Sequence, residues 1–449
     1  MLVRPSPTNL VDIIAVEAAG CYSSAGRIRD VPTISEGLSA RLEELRLKSV
    51  ELVAGEQLLV VERLVEGFSQ LVDNVLEKAG LRGILFPKEF NSFIRNPRRH
   101  LAKKLYQYSI DLARGSLDPA GFASKARSAI QTSLATNYRS LYQHWVFLQM
   151  ISIYADKGGR LVYPDHGYLH LDRQGRQRGG SIPANAVIRL PGAREASFYL
   201  EAPRPIGWGD SKDLEKAWSL YTSLRPDMVV YRGRVVDMVE WKGGKPGVRR
   251  PSAIIEFKEM PDWYVRTRYL KGPLVDRFTA EEWYSRWFEG LKLGLADILG
   301  YRAPDYKPQR RSGVRVRETD LVKLYASFYK PEAVILVSMH KIPSQLKSLL
   351  EESGVITFDG IGMDDGESVA PLASEVERFF DLVVGSPLDL VENRLWRLGV
   401  VAGRDDIERA IAAVALRNLD LLIEMLAGDE EDGVDSQYKG LESETSSAI

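Results

Sequence analysis

The first third of the chain has the apolar spacing of long helices. Over residues 34–78, apolar side chains recur every three or four positions and no proline interrupts them, which predicts one amphipathic helix. Helical spacing returns over residues 88–114 and again from Pro119 toward Asn137. We therefore predict that residues 1–137 form a helical N-terminal domain.

The pattern changes after Thr136, where an apolar helix is predicted over Leu141–Tyr154 and short segments of β type follow it. The segments are Arg160–Tyr163, Tyr168–Asp172, Ala186–Leu190, Ser197–Leu200, Met228–Tyr231, Val235–Trp241 and Ala253–Phe257. The turn signal at Arg232-Gly233 predicts that the two strands flanking it form a hairpin.

Helices and strands alternate in the second half of the chain. The predicted elements are helices over Thr279–Leu299 and Thr319–Phe328, then a strand, a helix and a strand over Glu332–Met339, Pro343–Ser353 and Val355–Asp359. This order predicts an α/β domain over residues 138–362. Residues 363–427 are predicted to be C-terminal helices, and residues 428–449 a disordered acidic tail.

Composition narrows the class of protein. Cys21 is the only cysteine among 449 residues, which excludes a disulfide framework and is typical of a reducing compartment. No apolar run approaches the roughly 20 residues of a membrane span. We therefore expect a cytoplasmic protein without a membrane partner.

Residues 429–449 carry a net charge of −6, which leaves +5 on the rest of the chain and permits a polyanionic partner.

The segment Ala253–Lys258 carries the most informative chemistry. Side chains alternate along a strand, so Glu256 and Lys258 share one face of an otherwise apolar segment. Burying an acid and a lysine is costly without partners, and a divalent cation is one reason to tolerate them. Glu256 would supply a hard oxygen ligand of the kind that Mg²⁺ prefers.

Asp227 is a candidate partner for Glu256. It follows Pro226 at the start of the apolar strand Met228–Tyr231, 29 residues before Glu256. If these two strands pair, Asp227 and Glu256 can hold one metal ion together, with waters and a substrate phosphate completing its shell.

These two segments resemble the PD-(D/E)XK nuclease superfamily of restriction-type and RecB-type phosphodiesterases. The resemblance lies in the motifs Arg225–Val230 and Ala253–Lys258. In addition, the helix at Leu141–Leu148 resembles the helix that opens the core in many members. The resemblance covers about residues 138–362. It implies an α/β fold with a restriction-endonuclease-like mixed β-sheet core flanked by helices.

The resemblance also implies an activity. It predicts a nuclease that uses Mg²⁺ or Mn²⁺ to hydrolyse phosphodiester bonds, with DNA as the expected nucleic-acid partner. Asp227 and Glu256 would hold the metal, the Phe257 carbonyl would add a backbone ligand, and Lys258 would position the attacking water. A homodimer or a partner protein would supply specificity.

The chain departs from the family pattern on the opening helix, where some members carry a glutamate and this sequence has Gln143. Gln143 has no charge, but it can hydrogen-bond a metal-bound water and is kept as a catalytic candidate. The departure leaves an alternative open, namely a catalytically degenerate protein of the same fold that binds nucleic acid or acts as a scaffold.

A rival motif lies at Glu240 and Lys242. Glu240 precedes a Gly-Gly turn, where an exposed charge needs no explanation, so Glu256 and Lys258 are preferred. The two pairs remain alternatives.

Residues 301–317 are predicted to form a basic loop, which either contacts a phosphate backbone or is a solvated loop; the two interpretations remain open. Arg310, Arg311, Arg315 and the nearby Lys323 are the candidate nucleic-acid contacts. A second basic stripe, formed by Arg95, Arg98, Arg99, Lys103 and Lys104, is interpreted as a solvated helix face.

Overall fold

The structure is a computed structural model. It describes residues 15–16, 18–19, 36–172, 182–201, 226–242, 245–269, 315–400 and 404–419. The chain divides into two compact units, one of residues 1–190 with 195–381 and the other of residues 191–194 with 382–449. The predicted helix over Thr279–Leu299 and the predicted acidic tail lie outside the described residues.

The first unit begins with helices. They are α1 (Glu36–Lys78), then strand β1 (Gly83–Leu85), then α2 (Lys88–Arg95), α3 (Pro97–Lys104), α4 (Tyr106–Ala113) and α5 (Pro119–Asp156). The predicted long helix is confirmed as α1, whose buried positions follow the three-and-four spacing. The Asp118 carboxylate caps α5 by accepting the Gly121 N–H at 2.7 Å.

Two of the predicted helix boundaries are wrong. The single run over residues 88–114 is three helices. The first break falls at Asn96, which adopts an extended backbone, caps α3 and is followed by Pro97, and the second falls at Leu105. In contrast, the two helices expected on either side of residue 137 are one continuous helix, α5, since neither proline nor glycine interrupts it after Gly121. The predicted domain boundary at residue 137 therefore falls inside a helix, and both sides belong to one compact unit.

The strands that follow are β2 (Arg160–Tyr163), β3 (Tyr168–His170), β4 (Ala186–Leu190), β5 (Arg194–Leu200), β6 (Met228–Arg232), β7 (Val239–Lys242), β8 (Lys245–Val248), β9 (Ala253–Lys258), β10 (Thr267–Tyr269) and β11 (Arg315–Arg317). The later elements of the unit are α6 (Glu318–Tyr329), β12 (Ala333–Ser338), α7 (Ser344–Glu352), β13 (Val355–Asp359) and α8 (Ala370–Glu377). β14 (Asp381–Leu382) begins at the last residue of the unit.

One mixed sheet has eight strands, seven of which follow one another in the order β13-β12-β9-β6-β5-β4-β2. β12 runs parallel to both β13 and β9, whereas β6 runs antiparallel to β9 and to β5. The expected strand, helix and strand before residue 360 are confirmed as β12, α7 and β13. The described chain is therefore a mixed α/β protein with a largely helical first part.

The predicted hairpin at Arg232-Gly233 is wrong. β6 pairs with β5 and β9, and β7 pairs with β8 in a separate two-stranded sheet. After Gly233 the chain is drawn along β5, because the Ser197 hydroxyl accepts the Val235 N–H at 2.7 Å and the Tyr199 hydroxyl donates to the Val235 carbonyl at 2.7 Å. Contacts with residues outside β6 therefore override the local turn signal.

The two faces of the sheet bury different apolar clusters. Ile255 and Phe257 of β9 join the large cluster that includes helices α1 and α5. Val334 and Leu336 of β12 belong to a smaller cluster on the other face, with Trp263, Val322 of α6 and Leu350 of α7. This alternation places the even-numbered residues of β9 on the side of α6.

The second unit contains α9 (Pro387–Arg397) and α10 (Arg404–Arg417) among its described residues, in agreement with the helices expected there. Asp389 closes a capping box with Ser386 at the start of α9, and its other carboxylate oxygen contacts the Arg404 guanidinium at 2.8 Å.

Candidate active site

The pairing of β6 with β9 brings the two predicted carboxylates together. The antiparallel register sets Met228 opposite Ile255, so the next position along places Asp227 beside Glu256. The Asp227 N–H donates to Glu256 Oε2 at 3.3 Å, and the Phe257 N–H donates to Asp227 Oδ2 at 2.9 Å. Asp227 and Glu256 are thus neighbours at the start of β6, although 29 residues separate them.

Glu256 and Lys258 share a face of β9, as strand alternation predicts. The Lys258 ammonium donates to Glu256 Oε1 at 2.9 Å, and the two residues are only 5% and 2% exposed. Two opposite charges this deeply buried lose their hydration, and the loss is offset only when each has close partners. The geometry supplies such partners.

A second carboxylate, which was not predicted from the sequence, contacts the same lysine. Lys258 Nζ donates to Glu318 Oε2 at 2.8 Å. Glu318 is the first residue of α6, and its backbone N–H donates to the carbonyl of Arg266 at 3.2 Å. An acid in the first turn of a helix is common because it complements the helix dipole, so the sequence alone gave no reason to single out Glu318.

Trp263 closes one side of this group. Its ring is 3% exposed, and the Lys258 ammonium lies 5.9 Å from the ring centroid. An indole beside the ammonium limits the access of water, so the charges of Lys258, Glu256 and Glu318 interact more strongly than they would at the surface.

Glu201 is a further acid at this end of the sheet. It follows Leu200, which pairs with Met228, and its N–H donates to the carbonyl of Asp227. The backbone of Glu201 has φ +39°, a conformation that is uncommon for residues with a side chain. Glu201, just after β5, and Asp227, just before β6, therefore lie level with Glu256 of β9.

Gln143 is placed on the other face of the sheet. Helix α5 approaches β9 through Tyr142, whose ring meets that of Phe257 at 6.3 Å between centroids, and through Arg139, which pairs with Glu259 at 3.5 Å. These contacts lie on the face opposite Glu256 and Lys258. The Gln143 Nε2 atom is buried and has no hydrogen-bond partner among the described residues. Its catalytic role stays a prediction, and its position does not favour it.

The rival pair of Glu240 and Lys242 lies on β7, which is outside the eight-stranded sheet that contains β6 and β9. Of the predicted nucleic-acid contacts, Lys323 is exposed on α6 and Arg315 begins β11. Arg310 and Arg311 lie outside the described residues.

Asp227 and Glu256 are the two carboxylates that could hold a cation at this site. In the described ranges there is no group of three or more His, Cys, Asp or Glu residues that could hold a metal ion. Mg²⁺, however, is commonly bound by one or two carboxylates together with waters and substrate phosphate. The Lys258 carbonyl accepts from Met339 on the β12 side at 2.9 Å, so strand alternation directs the Phe257 carbonyl to the edge where Asp227 lies. Asp227, Glu256 and this carbonyl fit such a cation.

Comparisons with known proteins leave the family open. No protein-family model matches the chain, and neither the curated proteins nor the solved structures give a match. None of the helices in the described ranges is both long enough and apolar enough to cross a membrane.

Proposed function

We propose that this chain is a metal-dependent nuclease with a restriction-endonuclease-like core, and that it hydrolyses phosphodiester bonds of DNA. The observation that supports this most directly is the convergence of Asp227, Glu256 and Lys258 at one end of a mixed sheet. A strand interior does not gain stability from an acid and a lysine that apolar residues could replace. A chemical use for the buried charges accounts for their presence.

In this mechanism Asp227 and Glu256 would hold Mg²⁺ or Mn²⁺, and the Phe257 carbonyl would add a backbone ligand. The bound cation would stabilise charge on the scissile phosphate and lower the pKa of a water. Lys258 directs its ammonium at the attacking water and the phosphate oxygens, which stabilises the negative charge of the transition state. Glu318 positions Lys258 by accepting one of its three N–H donors.

The alternative is a nucleic-acid-binding or scaffolding protein that keeps the fold without cleavage. Two observations favour it. Both candidate ligands already accept hydrogen bonds within the chain, Asp227 from Phe257 and Glu256 from Lys258. In addition, the opening helix carries Gln143 in its motif, where some nucleases of this type have a glutamate. In either case we expect a protein of the cytoplasm.

Incubation of the purified chain with supercoiled plasmid and with single-stranded circles separates the two functions. Each substrate is tested with Mg²⁺, with Mn²⁺ and with EDTA. The nuclease proposal requires nicked or degraded products with a divalent cation and intact substrate with EDTA. Binding without cleavage under every cation would favour the scaffold, and a chain that neither binds nor cuts would contradict both.

A further inference from the structure

A basic cleft lies on the helical part of the first unit, between α2 and α3. Its cavity volume is about 340 Å³, and four cations line it: Lys88, Arg95, Arg99 and Lys103. We refer to these four residues and their cavity as the basic cleft. Asn91 and Asn96 add amide groups to the lining. The volume falls within the range of small-ligand sites.

The local sequence explains why the cations converge. Arg99 and Lys103 are four residues apart, so they share one face of α3. Asn96 turns the chain between the two helices and caps α3 by accepting the Arg99 N–H at 2.8 Å. The turn brings Arg95, at the end of α2, and Lys88, at its start, to the same opening.

Sequence analysis interpreted the basic stripe as one solvated helix face. In the structure, some of its cations pair with acids and the others line the basic cleft. Arg98 contacts Glu51 and Glu62, and Lys104 contacts Glu89, so these two cations are neutralised within the chain. The four cations of the basic cleft have no acidic partner in the described part of the chain. Like charges held this close repel one another, and an anion in the cleft would offset the repulsion.

The lining defines the chemistry of the ligand. It consists of basic, amide and hydroxyl side chains together with His100, and no aliphatic residue or large aromatic ring lines the cavity. A ligand that binds by apolar contact or by base stacking gains little here, whereas a ligand rich in phosphate oxygens meets donors on several sides.

We infer that the basic cleft binds consecutive phosphates of a nucleic-acid strand, at a place on the helices that is distinct from the Asp227–Lys258 site. The phosphate chemistry follows from the lining. Only the choice of a nucleic acid as the source of the phosphates rests on the proposed function.

The test uses the full chain and a fluorescently labelled 20-base-pair duplex, with anisotropy recorded in EDTA so that no cleavage occurs. The double variant Arg95→Ala/Arg99→Ala removes two cations of the cleft. The matched control, Arg98→Ala/Lys104→Ala, removes two cations from the same helices that are already paired with acids. Both should unfold near the wild-type temperature, because alanine is a strong helix former and all four residues lie at least partly exposed.

We expect the cleft variant to bind the duplex at least tenfold more weakly than the control at moderate salt. The slope of log K against log salt should fall by about 1.8, the value for two lost phosphate contacts to a duplex. The control should keep both the affinity and the slope. An equal loss in the two double variants would overturn the inference, since net charge alone would then explain binding.

Inorganic tripolyphosphate distinguishes the sources of phosphate. If it competes with the duplex on the wild type and loses affinity for the cleft variant, the cleft is a phosphate site that the strand uses. If tripolyphosphate binds in the cleft while the duplex neither competes nor responds to the variant, a small polyphosphate is the ligand and the nucleic-acid inference is wrong. Cleavage assays with Mg²⁺ are read separately, so a chain that binds through the cleft but never cuts contradicts only the proposed function.

Discussion

The Lys258 ammonium lies 2.8 Å from the Glu318 carboxylate, although 60 residues separate the two in the chain. The same ammonium lies 2.9 Å from Glu256 on its own strand. A lysine held between two buried carboxylates has a fixed head group, which is what a side chain acting on a phosphate requires. The contact also ties the start of α6 to β9, so it links the stability of the fold to the geometry of the candidate site.

Replacing Glu318 should therefore cost stability. In Glu318→Ala, Lys258 keeps Glu256 but loses one of its buried acceptors, and we expect the free energy of unfolding to fall by about 2 kcal/mol. Urea unfolding followed by circular dichroism measures the change. The control is Glu332→Ala, which breaks an exposed pair with Arg232 and should cost less than about 1 kcal/mol. Equal losses would mean that Lys258 does not depend on Glu318.

Replacing Lys258 should separate binding from cleavage. We expect Lys258→Ala to lower the cleavage rate by about 100-fold or more, because in the proposed mechanism the ammonium acts on charge that develops in the transition state. Duplex binding should change much less, since many other cations contribute to it.

Lys242→Ala is the matched control for this experiment, because Lys242 belongs to the rival motif on β7. It should cleave like the wild type. Cleavage that survives Lys258→Ala and is lost in Lys242→Ala would transfer the active site to the rival pair.

The cation site can be tested without any substrate. Asp227→Asn keeps the shape of the side chain and its ability to accept the Phe257 N–H, but it removes the negative charge. We expect Mn²⁺ affinity, measured by electron paramagnetic resonance of the free ion, to fall at least tenfold. Asp262→Asn removes the charge of a half-exposed acid that pairs with Arg266, and it should leave Mn²⁺ binding unchanged. Similar affinity in wild type and Asp227→Asn would exclude Asp227 as a ligand.

His100 should make the stability depend on pH. Burial lowers the pKa of its imidazole, Lys104 and Lys103 lower it further, and Glu89 opposes the shift. The unfolded chain takes up the proton near the ordinary pKa of about 6.5, whereas the folded chain does so only at lower pH. The contribution of His100 to stability is therefore complete above pH of about 6.5 and is lost as the pH falls through the folded pKa.

Urea unfolding of the wild type and of His100→Gln, at several pH values above and below about 6.5, tests whether acidification lowers the stability in this way. The wild type should lose more stability than the variant on acidification. Parallel curves for the two proteins would show that His100 does not titrate as described.

The sequence alone was sufficient for those elements whose apolar pattern is local. The three-and-four spacing of α1 and the alternation along β9 state which positions are buried before any partner is known. The same alternation put Glu256 and Lys258 on one face, and the structure agrees. The helix boundaries were predicted less well. Asn96 interrupts a helix that was predicted to be continuous, and α5 continues across residue 137, where a boundary was predicted.

Tertiary structure decided which of these elements meet. Local turn chemistry at Gly233 predicted a hairpin, but the hydrogen bonds that Ser197 and Tyr199 offer to Val235 come from a distant strand and determine the path. The contact of Glu318 with Lys258 and the position of Gln143 on the opposite face likewise depend on how helices pack against the sheet. Periodicity along a chain records how each element is buried, whereas partners, registers and convergent charges arise from contacts between residues far apart in sequence.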